Sequence, residues 1–216
     1  MDLFNLPYNT VVQRFVAKSL FDSVTNTKQK AMFTNDVAKM IWCNTLSSET
    51  TNLPHKEIEE IQIFSIELKE QKVIKSILEI IDKTIPYHII FIVTCRDEVY
   101  LSASAKHPSP LSSTKFVIDW VYTSPWFKKN ENIYCINLKK DIDTVFFDFC
   151  QQLSPKLNGS IKNIADLTAY NSRLTSVTRE IEQLKKKMLN CYQFNKRVEL
   201  NLRLKELEEE LKALKV

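Results

Sequence analysis

The last fifty residues constrain the fold of this chain most strongly, because apolar side chains recur there at alternating steps of three and four. The first run comprises Leu167, Tyr170, Leu174, Val177, Ile181, Leu184, Met188 and Cys191. A second run comprises Leu200, Leu204, Leu207, Leu211 and Leu214. This spacing places an apolar stripe along one side of a helix, and the stripe must be covered by other protein surface. Neither glycine nor proline, which would interrupt a helix, occurs after Gly159.

The two runs do not lie on one face of a straight helix. Continuing the first run past Cys191 leads to Leu202, whereas the second run begins at Leu200, about 200° away around the helix axis. The apolar stripe therefore changes side within residues 190–198. Either one helix of about 45 residues contacts partners on two sides, or the chain folds back as a hairpin. We favour the single helix, because no special turn residue marks a reversal.

A long, coiled-coil-like helix at the C-terminus predicts contact with a protein partner or with a second copy of the chain. The side chains expected to form that contact are Leu174, Val177, Ile181, Leu184, Met188, Leu200, Leu204, Leu207, Leu211 and Leu214.

Composition excludes several classes of function. Gly159 is the only glycine, so glycine-rich phosphate loops, dinucleotide fingerprints and nucleophile elbows are ruled out. No segment approaches the roughly 20 apolar residues that span a bilayer, and the N-terminus lacks an export signal. The five cysteines are scattered and odd in number, which suits reduced thiols in the cytoplasm. Cysteine and histidine spacing predicts no metal site, and we expect no cofactor.

Basic charge is concentrated in the predicted helix. Residues 171–205 carry nine basic side chains against three acidic ones, within a chain of net charge +4. Such a band can contact nucleic-acid phosphates, but a solvated helix face is the explanation that we favour. Aromatic and basic residues also mix around Trp126. The candidate nucleic-acid contacts are Lys185, Lys186, Lys187, Arg197 and Trp126.

Residues 1–160 have the pattern of a compact α+β domain, and residues 161–216 form a helical, coiled-coil tail. Apolar periodicity predicts helices at 9–20, 35–43, 72–84 and 141–153. It predicts strands at 60–69, 88–95, 99–105, 115–122 and 132–138. The order strand–helix–strand favours a parallel central pair, so we expect a mixed α/β sheet of about five strands flanked by helices. Pro155, Asn158 and Gly159 mark the connector at 154–160 as the domain boundary.

Glu67 and Lys69 are the sharpest catalytic candidates, because alternation places both on one face at the end of a strand. A carboxylate and a lysine so placed, with a second acid, hold Mg²⁺ and activate water in nucleases of the PD-(D/E)xK type. The second acid is the missing part: Glu57, Glu59 and Glu60 precede the same strand. A solvated strand end or a simple ion pair is the plainer explanation.

Four segments, at 33–53, 60–68, 80–86 and 193–201, resemble domain-of-unknown-function family 4391 of bacteria. The strings IDKTIP at 81–86 and FNKRVELN at 194–201 carry the resemblance most specifically. It implies no activity, but it implies a setting beside helicase and methyltransferase genes of restriction or antiphage clusters.

Two functions are therefore expected. The first is a non-enzymatic accessory subunit that assembles with a DNA-processing complex through its C-terminal helix. The alternative is a divergent metal-dependent nuclease built on Glu67 and Lys69, with Mg²⁺ as its cofactor.

Overall fold

The computed structural model describes residues 3–110, 112–155 and 161–215. The chain divides into two compact units, Met1–Leu153 and Ser154–Val216, which we call the sheet unit and the helical unit. Of the predicted connector at 154–160, residues 156–160 lie outside the described residues. No helix among the described residues is both long enough and apolar enough to cross a membrane.

The sheet unit is built on one mixed sheet. Its strands are β1 Val11–Phe15, β2 Val37–Ser47, β3 Glu60–Leu68, β4 His88–Cys95, β5 Glu98–Ser109, β6 Ser112–Thr123 and β7 Phe127–Lys128. Strands β1 to β6 lie side by side in chain order, and the short β7 pairs with β5. The pair β3–β4 is parallel and the other pairs are antiparallel. The predicted fold class is confirmed, with seven strands in place of about five.

The described residues of the sheet unit include four α-helices: α1 Thr27–Asp36, α2 Ser48–Thr51, α3 Lys75–Thr84 and α4 Ile142–Gln152. Short 3-10 helices lie at Tyr8–Thr10, Lys18–Val24 and Lys129–Glu131. Helix α3 is the crossover that makes β3 and β4 parallel, as the strand–helix–strand order predicts. Helix α4 begins where Asp141 accepts a hydrogen bond from the Thr144 amide at 2.8 Å, a normal N-cap. The predictions at 72–84 and 141–153 are therefore confirmed as helices.

Helices cover the sheet on both faces. On one face, Phe91 and Val93 of β4 share an apolar core with Phe33 of α1 and Ile77 of α3. On the other face, the His88 ring packs against Phe146 of α4 at 4.7 Å. Strands covered on both sides read as nearly continuous apolar runs, which is why β4 is recognisable from its sequence.

The helix predicted at 35–43 is wrong, because this segment forms most of β2. Its buried side chains include Val37, Met40 and Cys43, spaced by three like one face of a helix. The register with β3 shifts between Val37 and Lys39 and again between Trp42 and Asn44. Each irregularity shifts by one residue which side chains face the core. A strand with two such shifts can therefore show the spacing of a helix face.

The helix predicted at 9–20 is also wrong. Residues Val11–Phe15 add an edge strand to β2, and the Arg14 guanidinium lies 5.9 Å from the centre of the Trp42 ring. The strand predicted at 132–138 does not form either. A side chain of α4 makes the backbone hydrogen bonds that a neighbouring strand would otherwise make. The Gln152 side chain accepts from the Cys135 amide at 3.0 Å and donates to the Cys135 carbonyl at 2.9 Å.

The helical unit consists of two helices, α5 Ile164–Leu189 and α6 Phe194–Lys215. The favoured single helix of about 45 residues is therefore wrong, and the chain folds back. Helix α5 ends at Leu189, and the amide of the capping residue Asn190 donates to the Lys187 carbonyl at 3.2 Å. The Tyr170 hydroxyl donates to the Leu214 carbonyl at 2.9 Å, which fixes the two helices as antiparallel.

Candidate functional site

The two apolar runs of the helical unit cover each other. Val177, Ile181 and Leu207 are buried between the helices. The partly buried side chains packed around them are Leu184, Leu204, Leu211 and Leu214. The stripe changes side along the sequence because each helix turns its run toward the other. Of the ten predicted contact residues, Leu174, Met188 and Leu200 are half-buried. A role of these residues in binding another protein stays a prediction.

Two of the ion pairs between the helices follow the same antiparallel register. Arg173 of α5 makes two hydrogen bonds to the carboxylate of Glu210, at 2.6 and 2.7 Å. These bonds raise the pKa of Arg173 and lower the pKa of Glu210. Closer to the turn, Arg203 of α6 lies 3.9 Å from Glu180 of α5. Both pairs are solvent-exposed, so they align the helices more than they stabilise them.

The turn between the helices, with the residues on either side of it, forms what we call the hairpin tip, residues 186–197. Two of its apolar side chains are unburied: Leu189 is 83% exposed and Tyr192 is 99% exposed. The basic side chains predicted to contact nucleic acid here, Lys186, Lys187 and Arg197, are exposed as well. The tip therefore combines apolar, aromatic and basic surface within twelve residues.

Glu67 lies in a cleft of about 280 Å³ in the sheet unit. We call it the basic cleft, and it is lined by Leu3, Lys39, Ile41, Ser65, Glu67, Ile92, Thr94, Arg96, Val99 and Lys129. The residue opposite Glu67 on β2 is Lys39, and the residue opposite it on β4 is Thr94. A metal-binding pair of acids on adjacent strands would need a carboxylate at one of these two positions.

Lys69, the second residue of the predicted nuclease pair, does not line the basic cleft. Its ammonium donates to the Thr34 carbonyl at 2.8 Å, and its amide donates to the Asp36 carbonyl. Glu60 is the first residue of β3 and Glu67 is the last but one, so about 23 Å separates them. Among the described residues, no group of three or more His, Cys, Asp or Glu side chains could hold a metal ion.

Trp126, the predicted aromatic contact for nucleic acid, is half-buried in the sheet unit. Its ring packs edge-on against Tyr100 with the centres 4.7 Å apart, and it borders the apolar core. Packing therefore occupies at least one edge of this indole. Lys185, the remaining candidate, is exposed on α5.

A buried ion pair is the polar feature that sequence reasoning missed. The Lys106 ammonium donates to Asp82 Oδ1 at 2.8 Å and to the carbonyls of Asp82 and Ile85 at 2.6 and 2.7 Å. The two side chains are 0% and 1% exposed. Burial lowers the pKa of Lys106 and raises the pKa of Asp82, and their mutual attraction opposes both shifts. An acid within the apolar face of α3 is the signal that could have revealed it.

His88 and three of the five thiols are packed inside the sheet unit. Burial, aided by the charge of Lys106, lowers the pKa of His88 to about 4, so the ring is neutral near pH 7. Burial also raises the pKa of the Cys150 thiol, which makes it a poor nucleophile. Cys43 and Cys95 are buried too, whereas Cys135 is exposed.

The sequence of the chain matches the model of a protein family. A family described as Domain of unknown function (DUF4391) matches residues 4–211, which includes both the sheet unit and the helical unit. That description carries no activity, substrate or partner. No curated protein and no solved structure matches the chain.

Proposed function

Because the chain belongs to the DUF4391 family, whose description assigns no activity, we propose a function from the geometry. The protein is a non-enzymatic interaction subunit that joins a larger DNA-processing or antiphage defence complex through its helical unit. The exposure of Leu189 and Tyr192 at the hairpin tip carries this proposal. The setting beside helicase and methyltransferase genes, implied by the family resemblance, supports the choice of complex. Five free thiols are consistent with a cytoplasmic location.

The hairpin tip is favoured over the apolar runs as the contact surface. The runs already pack against each other, so a partner would have to separate the helices to reach Val177 or Leu207. Leu189 and Tyr192 need no such opening. An exposed leucine and tyrosine three residues apart in the chain contribute favourable free energy when a partner covers them, and tyrosine is enriched among the residues that dominate binding energy.

The charge of the tip indicates the chemistry of its partner. Lys186, Lys187 and Arg197 flank the two apolar residues in the sequence and are exposed. A protein surface with an apolar patch bordered by carboxylates would complement it, with the charges setting orientation and association rate.

Tip variants with matched controls test the proposal. Leu189→Glu combined with Tyr192→Glu should abolish binding to the native partner, measured by cross-linking and affinity capture with the full chain. Ile133→Glu combined with Tyr8→Glu is the control, because these side chains are 83% and 89% exposed on the sheet unit. Equal binding by both double variants would contradict the proposal.

Direct contact between the tip and nucleic acid is a second candidate, favoured by the exposure of Lys185, Lys186, Lys187 and Arg197. Binding should weaken as salt rises, in proportion to the number of phosphates contacted. Replacing the three adjacent lysines by glutamine should reduce that salt dependence. Binding that ignores salt, or that survives the triple replacement unchanged, would contradict this candidate.

The nuclease alternative stays a prediction, and a cleavage assay tests it. Protein with Mg²⁺ or Mn²⁺ should cut DNA or RNA, and Lys69→Ala should abolish cutting with the fold intact. Because Lys69 donates to the Thr34 carbonyl, the variant's unfolding midpoint must be measured beside its activity. Metal-dependent cleavage lost in this variant would contradict the non-enzymatic role.

A further inference from the structure

We propose that the basic cleft of the sheet unit binds the phosphoryl group of a small phosphomonoester. Lys39, Arg96 and Lys129 line it together with one carboxylate, Glu67, and the hydroxyls of Ser65 and Thr94. This site is separate from the hairpin tip and does not depend on the function proposed above.

The cleft sits at the carboxyl ends of the parallel strands. Glu67 and Thr94 are paired near the ends of β3 and β4, and Arg96 follows β4 directly. Ligands of sheets with parallel strands bind in this position, because the loops that follow the strands converge there. Ile41 and Ile92 add apolar lining between the polar side chains. A volume of about 280 Å³ suits a small molecule.

Glu67, directly opposite Lys39 across β2 and β3, is the carboxylate that lines the cleft beside the three cationic side chains. Among the described residues, neither Lys39 nor Arg96 forms a side-chain hydrogen bond or an ion pair. Lys129 is held by backbone contacts: its ammonium donates to the Arg96 carbonyl and its amide donates to the Asp97 carbonyl at 2.9 Å. An ammonium has three donors, so Lys129 keeps N–H groups for a ligand.

The charge of the cleft matches a phosphomonoester better than a phosphodiester. Three cations and one carboxylate sum to a formal charge of +2. A phosphomonoester carries about −1.5 to −2 at pH 7, whereas a diester carries a single negative charge. Nearby acids, Glu70, Asp97 and Glu98, line a neighbouring cleft that Arg96 also borders.

The backbone at Arg96 is left-handed, as expected in the tight two-residue turn of a β-hairpin. Arg96 and Asp97 form the turn between β4 and β5, and Arg96 has φ of 53°. Glycine adopts this left-handed conformation freely, whereas a residue with a Cβ adopts it at a cost. Replacing Arg96 by glycine therefore removes the guanidinium from the cleft without a cost to this turn.

The experiment measures binding of inorganic phosphate, adenosine monophosphate and a phosphodiester oligonucleotide by calorimetry with the full chain. Phosphate and the monophosphate should bind to the same site, and the monophosphate should displace phosphate. Arg96→Gly should weaken phosphate binding about 10-fold or more while raising the unfolding temperature, because glycine relieves the positive φ. Loss of binding in a more stable variant separates a ligand contact from a folding defect.

Two further variants and a control complete the test. Lys39→Gln should also weaken binding about 10-fold, whereas Glu67→Gln should tighten phosphate binding by removing a negative charge. Lys28→Gln, an equal loss of charge at an exposed lysine on α1, should change nothing. Absence of phosphate and monophosphate binding, or equal binding by wild type, Arg96→Gly and Lys39→Gln, would overturn the proposal. Oligonucleotide binding that the monophosphate does not displace would overturn the preference for a monoester.

Discussion

One ion pair in each unit of the protein illustrates two opposite environments. In the sheet unit, Lys106 of β5 and Asp82 of α3 are 0% and 1% exposed. In the helical unit, Arg173 and Glu210 are 48% and 35% exposed. Removing one partner of the buried pair should strongly destabilise the fold, because the other charge would be left unpaired in the protein interior. Water and salt screen the exposed pair, so removing it should cost little stability.

This contrast indicates different mechanical roles. The sheet unit has many interlocking long-range contacts, whereas the helical unit is held by a core that includes Val177, Ile181 and Leu207. A two-helix unit with so few buried side chains is expected to open at a lower free energy than the sheet. The rigid unit suits a cleft that needs fixed geometry, and the looser unit suits a surface that adapts to a partner.

The largest expected effect tests the buried pair. Lys106→Met should destabilise the sheet unit by about 3–5 kcal/mol, because the Asp82 carboxylate loses its counter-charge. All three tryptophans lie in residues 42–126, so their fluorescence during urea unfolding follows this unit alone. Lys83→Met, which breaks the exposed pair with Glu79, is the control and should have little effect. A Lys106→Met variant as stable as this control would show that the pair is not buried as described.

The next effect is a pH dependence confined to the sheet unit. His88 has a pKa of about 4 in the fold against 6.5 when unperturbed, so the unfolded chain takes up a proton first as the pH falls. Stability should therefore be complete above pH 6.5 and decline toward pH 4, by about 3 kcal/mol. His88→Phe should remove this slope, measured by urea unfolding across that range. An unchanged slope would assign the titration to another group.

Truncating a core side chain of the helical unit should lower the stability of that unit alone. Leu207→Ala should destabilise the hairpin by about 2 kcal/mol or more, since Leu207 is 1% exposed. Amide hydrogen exchange in α5 and α6 measures this loss, and the tryptophan unfolding midpoint should stay the same. Leu202→Ala, at a side chain that is 60% exposed, is the control. A shift of the tryptophan midpoint would show that the two units unfold together.

The smallest expected effect is at the exposed pair. Arg173→Gln should leave hydrogen exchange of the hairpin unchanged within error, because solvent and salt already screen this interaction. Clear acceleration of exchange in α6 would mean that the surface pairs hold the helices together.

Predictability differed between elements for a physical reason. Strand β4 and helix α4 were found because their burial patterns are simple: one is apolar throughout and the other has a single apolar face. Strand β2 was misread because two irregularities disturb its alternation. The segment at 132–138 looks like a strand, but side chains such as Gln152 take up its backbone hydrogen bonds.

The candidate sites also divide into features that a local pattern reveals and contacts that only the fold creates. Glu67 was singled out from its place at a strand end, and it does lie in a cleft. Its neighbours Arg96 and Lys129 are 33 residues apart in the chain, and only strand pairing brings them together. The Lys106–Asp82 pair was missed for the same reason, since a lysine of a strand and an acid of a helix reveal no contact on their own.

The sequence by itself determined the class of the fold, the two helical apolar runs and the absence of glycine-rich nucleotide motifs, because composition and periodicity are local properties. Only the tertiary structure decided that the apolar runs pack against each other, and which charges meet across the sheet. Such choices depend on which segments become neighbours in space, and pairwise contacts over long sequence distances leave no periodic trace in the chain.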